Sequence, residues 1–228
     1  MNLVQLNEEV DLHLERVTHA LYDASIRREL GVPPVDRSYM LLTILPKLVG
    51  DEWTEEQDRV ALAIQAIRAA FVAHDEVTVK GALDQRGQLT VLAGDHYSGI
   101  HYRLLANVPS YRFIRTLSQS IASVNEKKMT LYFDRPSTAD EWLHAIQSIE
   151  LLNVNELYRT FKEEETYRKV ASLAYPLHLL RSEEPVLYRD QIAVDSLNEL
   201  EQRLTAQLST LLKTLDWPQS VKRQLVER

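Results

Sequence analysis

Apolar residues recur at three- and four-residue intervals along almost the whole chain, the period of helices with one face turned inward. Leu3, Leu6, Val10, Leu14, Val17, Leu21 and Ala24 mark a first helix over residues 3–30, ended by Gly31 and the pair Pro33-Pro34. Asp36 is placed to cap a second helix through Val49, with Pro46 as a kink or early stop. Thr54 followed by Gln57 reads as a capping box. It opens a helix from Glu55 to Val79 whose apolar face is Val60, Ala63, Ile64, Ile67, Phe71 and Val72. A loop over residues 80–88 precedes a helix from Thr90 to Asn107. Ser110 is placed to cap the next, from Tyr111 to Phe133, with Ile114, Leu117, Ile121 and Val124 on one side. Ser137 and Asp140 open another, carrying Trp142, Ile146 and Ile149. Residues 155–180 read as helical with Pro176 bending or ending them. Residues 186–215 carry the stripe Leu197, Leu200, Leu204, Leu208, Leu211 and Leu215, and Asp216-Trp217-Pro218 turns into a short last helix.

The glycines sharpen this picture. All six precede residue 100, and turns between strands lean on glycine for positive φ, so the glycine-free remainder argues for helices. The fold class expected is all-α, one helical domain over residues 1–228 with about eight or nine helices.

Composition removes whole classes of function. Hydrophobic residues make up 45% and charged residues 26%, the balance of a folded chain rather than a disordered one. Asp and Glu number 33 against 26 Lys and Arg, for a net charge of −7, the wrong sign for a nucleic-acid binder. No cysteine is present, which excludes disulfides, iron–sulfur clusters, cysteine-ligated zinc and thiol catalysis. The amino end is acidic where a signal peptide is basic, and the longest apolar run, Tyr39 to Val49, is interrupted by Thr43, Pro46 and Lys47. A cytoplasmic protein without a transmembrane segment is expected.

The chemistry-bearing stretch runs from Phe71 to Ala106. His74-Asp75-Glu76-Val77-Thr78-Val79 ends one helix, Gln85-Arg86-Gly87 follows, and Val91-Leu92-Ala93-Gly94-Asp95 opens the next. This order resembles the first half of the trans-prenyl diphosphate synthase fold, which has an Asp-Asp-x-x-Asp cluster, an Arg-Gly turn and a Gly-Asp helix, although the spacer after Arg-Gly is shorter here. Gly94-Asp95-His96-Tyr97-Ser98 with Tyr102, followed by Asn125-Glu126-Lys127-Lys128, is similar to the small subunit (component 1) of two-component heptaprenyl diphosphate synthases. The resemblance covers residues 60–132. It implies an isoprenoid-synthase-like bundle, a catalytic large subunit as partner, and a role in making a heptaprenyl-type chain for menaquinone.

Departures from the catalytic pattern decide the expected role. Carboxylates at i, i+1 and i+4 of a helix face one way and can share magnesium with a diphosphate. Here Asp75 and Glu76 are followed at i+4 by Val79, and no Asp-Asp pair stands anywhere in the chain. The acid run Glu163-Glu164-Glu165 lacks the Phe-Gln that precedes the second cluster of catalytic members. No catalytic or metal-ligating residue is therefore assigned, and the resemblance leaves magnesium and the chemistry to the partner. Asn125, Glu126 and Lys127 are candidates for docking that partner, and the isolated chain could also self-associate. Tyr97, Ile100 and Leu104 form an apolar stripe that reads either as core or as a wall limiting chain length. Asp75 and Glu76 are also compatible with solvated charges, Arg86-Gly87 with a plain turn, Asp95 with a helix-start acid, and Gly94 with Ser98 as a small-residue packing stripe. Two other classes compete: an HD-type metal phosphohydrolase using His19, His74-Asp75 and Asp95, and a helical adaptor unrelated to isoprenoids. Hydrolase-elbow, P-loop, dinucleotide and zinc-helix motifs are absent.

Overall fold

The computed structural model describes residues 1–77, 83–183, 186 and 188–227. Among them are twelve α-helices and one short 3-10 turn, more helices than the periodicity predicts. The surplus comes from breaks inside continuous apolar patterns. The first helix, α1 (Leu3–Ala20), stops ten residues early, because the Asp23 carboxylate accepts the backbone N–H groups of Ser25 and Ile26 and starts α2 (Ala24–Glu29). Asp36 caps α3 (Arg37–Thr43) as expected, but Ile44 leaves the helical region and α4 (Leu45–Val49) begins anew around Pro46. The Thr54–Gln57 capping box opens α5 (Glu55–Asp75), and α6 spans Gln85–Leu105. The remaining helices are α7 (Tyr111–Phe133), α8 (Ala139–Glu150), α9 (Leu152–Tyr158), α10 (Glu164–Arg181), α11 (Val194–Thr214) and α12 (Gln219–Glu227). The α7 bounds agree with the sequence reading. The cap of α8 is Thr138, in a capping box with Glu141, and not Ser137 or Asp140.

The chain gathers into two compact units. One comprises residues 7–44 and 52–111, and α5 against α6 is its principal pair, with α3 on α5 and α2 on α6. The expected single stripe of α5 proves too narrow. Val60, Leu62, Ile64, Gln65 and Ile67 are buried together with six alanines, on nearly every side of the helix, while Phe71 and Val72 are only half-buried. Alanine permits this close packing because it adds volume without reach. The buried Gln65 amide donates to Thr43, whose hydroxyl donates to the Tyr39 carbonyl, so this amide and hydroxyl both have partners. A second network joins α1 to the start of α5. Asp58 accepts from Arg16 at 2.6 Å and from the Trp53 indole at 2.5 Å, and lies 3.0 Å from Nε2 of fully buried His13.

The other unit comprises residues 1–6, 45–51 and 112–228, with α10 packed on α8, α9 and α11. Trp142, Tyr158, Tyr167 and Tyr175 are fully buried here. Tyr167 donates to Asp51 at 2.6 Å and stacks on Trp217 with centroids 5.6 Å apart. The region 155–180 holds two helices and not one, and Pro176 lies inside α10 without ending it. Helix α11 starts eight residues later than expected and buries Leu200, Leu204, Leu208 and Leu212, with Leu197, Leu211 and Leu215 half-buried.

Candidate functional site

His74, Asp75, Glu76, Gly94 and Asp95 lie at one corner of the first unit, where the end of α5 meets the middle of α6. Helix α6 begins five residues before the expected position, because the Asp84 carboxylate accepts the Gly87 N–H at 2.7 Å and starts the helix there. Two expectations change with it. Arg86-Gly87 is the first turn of a helix, and the Arg86 guanidinium donates to the Glu29 carbonyl at 2.8 Å, at the end of α2. Gly94-Asp95 lies in mid-helix, so the helix-start account of Asp95 does not apply.

Gly94 has a specific steric reason. A β-carbon there would come within 2.6 Å of the His74 ring, so the imidazole occupies the space a side chain would need. His74 Nε2 lies 3.8 Å from an Asp95 carboxylate oxygen, and both side chains are largely exposed. Ser98 donates to the Asp95 carbonyl at 2.8 Å. Asp75 and Glu76 are exposed at the helix end; Val79 lies outside the described residues.

Tyr97 is 2% exposed and Ile100 4%, whereas Leu104 is half-buried. Burial, reinforced by the negative charges of Glu76 and Asp23, pushes the Tyr97 phenol up. The stripe therefore starts beside the acidic end of α5. Asp23 is held below the usual carboxylate range by the N–H groups of Ile26 and Ser25, with a smaller contribution from His96. One residue of this face gives no signal in the sequence. His101 is fully buried, its Nδ1–H donates to the Ala63 carbonyl of α5 at 2.8 Å, and its Nε2 is buried without a partner. Burial lowers its pKa, so the ring is kept neutral. Tyr102, edge-on to that ring, is half-exposed on the outer side of α6.

The sequence matches the family described as heptaprenyl diphosphate synthase (HEPPP synthase) subunit 1 across residues 26–226. The chain belongs to that subunit 1 family. A curated relative, heptaprenyl diphosphate synthase component 1 of Geobacillus stearothermophilus, is 36% identical over 95 residues, which is 42% of this chain and 43% of that protein. The matched stretch thus spans less than half of the relative. Among solved structures, heptaprenyl diphosphate synthase from Staphylococcus aureus superposes with a TM-score of 0.68 at 17% identity, covering 100% of this chain and 96% of that one. Polyprenyl synthase from Caulobacter crescentus, solved with calcium and isoprenyl diphosphate, gives 0.65 at 16% identity, covering 99% and 94%. These likenesses establish an isoprenoid-synthase-like fold for the subunit 1 chain.

Among the described residues no three carboxylate or imidazole side chains come together around a cation position. His19, His74, Asp75 and Asp95 accordingly do not form the phosphohydrolase centre weighed above. No described helix is long and apolar enough to cross a membrane.

The docking candidates lie in the other unit, on the last turns of α7. Asn125 and Glu126 are exposed. Lys127 is not a free charge, because its ammonium donates to the Ser148 carbonyl at 3.2 Å, in the last turn of α8 where the helix dipole favours a cation. Beside it a groove of about 630 Å³ opens between α7 and α8, lined by Thr130, Asp134, Arg135, Glu141 and His144. No periodic signal marks this groove, which is made by the turn at Pro136.

Proposed function

We propose that this chain is the non-catalytic, regulatory component of a two-component, long-chain trans-prenyl diphosphate synthase. It binds a catalytic large subunit in the cytoplasm, helps set the length of a heptaprenyl-type product, and serves menaquinone side-chain synthesis. Membership of the subunit 1 family supports the partner, and the isoprenoid-synthase-like fold supports the reaction class. The observation that carries the non-catalytic role is the corner itself. There His74 packs against Gly94, and among the described residues no three carboxylate or imidazole side chains gather as a metal-held diphosphate would need. Magnesium and both aspartate clusters belong, on this reading, to the large subunit. Asn125 and Glu126 dock that subunit, with Lys127 holding α7 to α8 beside them.

The test is reconstitution. The pure chain, given radiolabelled isopentenyl diphosphate, farnesyl diphosphate and magnesium, should release no extended product, and adding the co-purified large subunit should restore synthesis. Turnover by the single chain, or full activity and unchanged product length from the large subunit alone, overturns the assignment.

A further inference from the structure

Helix α2 packs on α6, and the Arg86 guanidinium at the start of α6 reaches the Glu29 carbonyl at the end of α2. The start of α2 therefore lies toward the middle of α6, where Tyr97 stands. Asp23 accepts the N–H groups of Ser25 and Ile26 with a single oxygen, Oδ1, which leaves Oδ2 open. Glu76, closing α5, comes to the same place: after burial itself, the charges of Glu76 and Asp23 are what hold the proton on the Tyr97 hydroxyl. Tyr97 is 2% exposed, yet that hydroxyl has no hydrogen-bond partner among the described residues. Neither Asp23 nor Glu76 pairs with a lysine or arginine among them. The His96 ring stands edge-on to Tyr97 with centroids 5.9 Å apart, its Nε2 buried and unpartnered. Two like charges thus converge on a buried phenol. They repel each other there, and a cation joining them removes that cost.

We propose that Asp23, Glu76 and Tyr97 form a binding site for a guanidinium group. The spread of the acceptors selects the cation. A divalent metal draws its ligands to within about 2.0–2.6 Å of one point, and no three carboxylate or imidazole side chains gather so closely among the described residues. A guanidinium carries five N–H donors on a planar fork, so it bonds two separate carboxylates at once. It is also more weakly hydrated than an ammonium and lies flat on aromatic rings, which suits a corner walled by Tyr97 and His96. In this arrangement Asp23 Oδ2 and the Glu76 carboxylate take N–H bonds at the edges, and the Tyr97 oxygen accepts one at the floor while keeping its own proton. Such a group can belong to a small metabolite or to an arginine of the large subunit. The site is a property of the isolated chain, so it stands or falls apart from the proposed synthase role.

The test sets agmatine, an alkylguanidinium, against putrescine, which carries an ammonium in its place and the same total charge. Titrated into the full chain, agmatine should saturably shift the amide resonances of Ser25 and Ile26, which are bonded to the Asp23 carboxylate, and putrescine should bind more weakly. Asp23→Asn, which keeps the cap, and Glu76→Gln should each weaken agmatine about fivefold, for the loss of one charge-assisted bond. Tyr97→Phe, which keeps the ring, should weaken it about threefold. Glu199→Gln, exposed on α11, should leave it unchanged. Adding the large subunit separates the two sources: agmatine expelled from the complex assigns the group to an arginine of that subunit, and agmatine retained assigns it to a small ligand. No saturable shift, equal binding of putrescine, or unchanged agmatine binding in Asp23→Asn combined with Glu76→Gln each overturns the proposal.

Discussion

The side-chain amide of Gln147 on α8 donates to the backbone carbonyl of Ser172 on α10, at 2.8 Å. Within α10 that carbonyl would accept from the residue four positions on, which is Pro176 and has no N–H. Gln147 thus supplies from a neighbouring helix the bond that proline removes, and α10 continues to Arg181. Gln147→Ala should destabilise the protein by about 1–2 kcal/mol in urea unfolding, the cost of an unsatisfied half-buried carbonyl with the lost amide contacts. In a Pro176→Ala background, where the helix can satisfy Ser172 itself, the same change should cost well under half as much. Equal costs in the two backgrounds would show that the amide packs and does not repair the helix.

The His74–Gly94 contact at the functional corner predicts an interaction of a different kind. Alanine is favoured over glycine inside a helix by about 1 kcal/mol, but a β-carbon at Gly94 would collide with the imidazole and turn it out into solvent. Gly94→Ala alone should therefore be close to neutral. With His74→Ala it should stabilise by about 0.5–1 kcal/mol, because the space is then vacant. A thermal double-mutant cycle showing no coupling would remove the steric reason for the glycine.

His101 predicts a pH dependence. Its pKa is lowered by burial, so the native ring resists protonation while the unfolded chain takes up a proton near the ordinary histidine value, about 6.5. The unfolded state then binds more protons, and stability falls as the pH drops below that value toward the native pKa. Above it, this contribution is fully present. His101→Gln should flatten that part of the stability–pH curve, measured by urea midpoints between neutral and mildly acidic pH. A curve of unchanged slope would place the acid sensitivity elsewhere.

Product length offers the functional test of the stripe Tyr97, Ile100 and Leu104. Each five-carbon unit sheltered from water gains about 4 kcal/mol, so one bulky side chain at the floor of a channel is enough to stop growth. Tyr97 is the largest of the three and lies toward Glu76, at the acidic end of α5. In the reconstituted complex, Tyr97→Ala should shift products to longer chains, read by chromatography of the dephosphorylated alcohols. Parent-length products from Tyr97→Ala, Ile100→Ala and Leu104→Ala in stable complexes would make the stripe core alone. Trp217→Ala is not a neutral comparison for this experiment, because Trp217 stacks on buried Tyr167; Lys213→Ala, exposed on α11, serves better.

By itself the sequence determined the helical class, the capping of α3 and α5 by Asp36 and Thr54, and the bounds of α7, because caps and amphipathic periods act between residues within a turn or a few turns of one another. The motif residues of α6, the acids closing α5 and the departure at Val79 were legible through the resemblance to prenyl diphosphate synthases. Tertiary structure decided where continuous apolar patterns break. Leu21 and Ile44 are buried on either side of chain breaks, and burial does not distinguish one long helix from two short ones. It also decided that α5 is enclosed on nearly every face, since alanine counts weakly in a hydrophobic pattern yet packs closely. Pro176 reads as a helix end until the amide of Gln147, 29 positions earlier, is placed beside Ser172. Likewise the use of Gly94 depends on His74, and the neutrality of His101 on its burial against α5. These are contacts between residues far apart in the chain, and their partners are set by how the helices pack and not by any local rule.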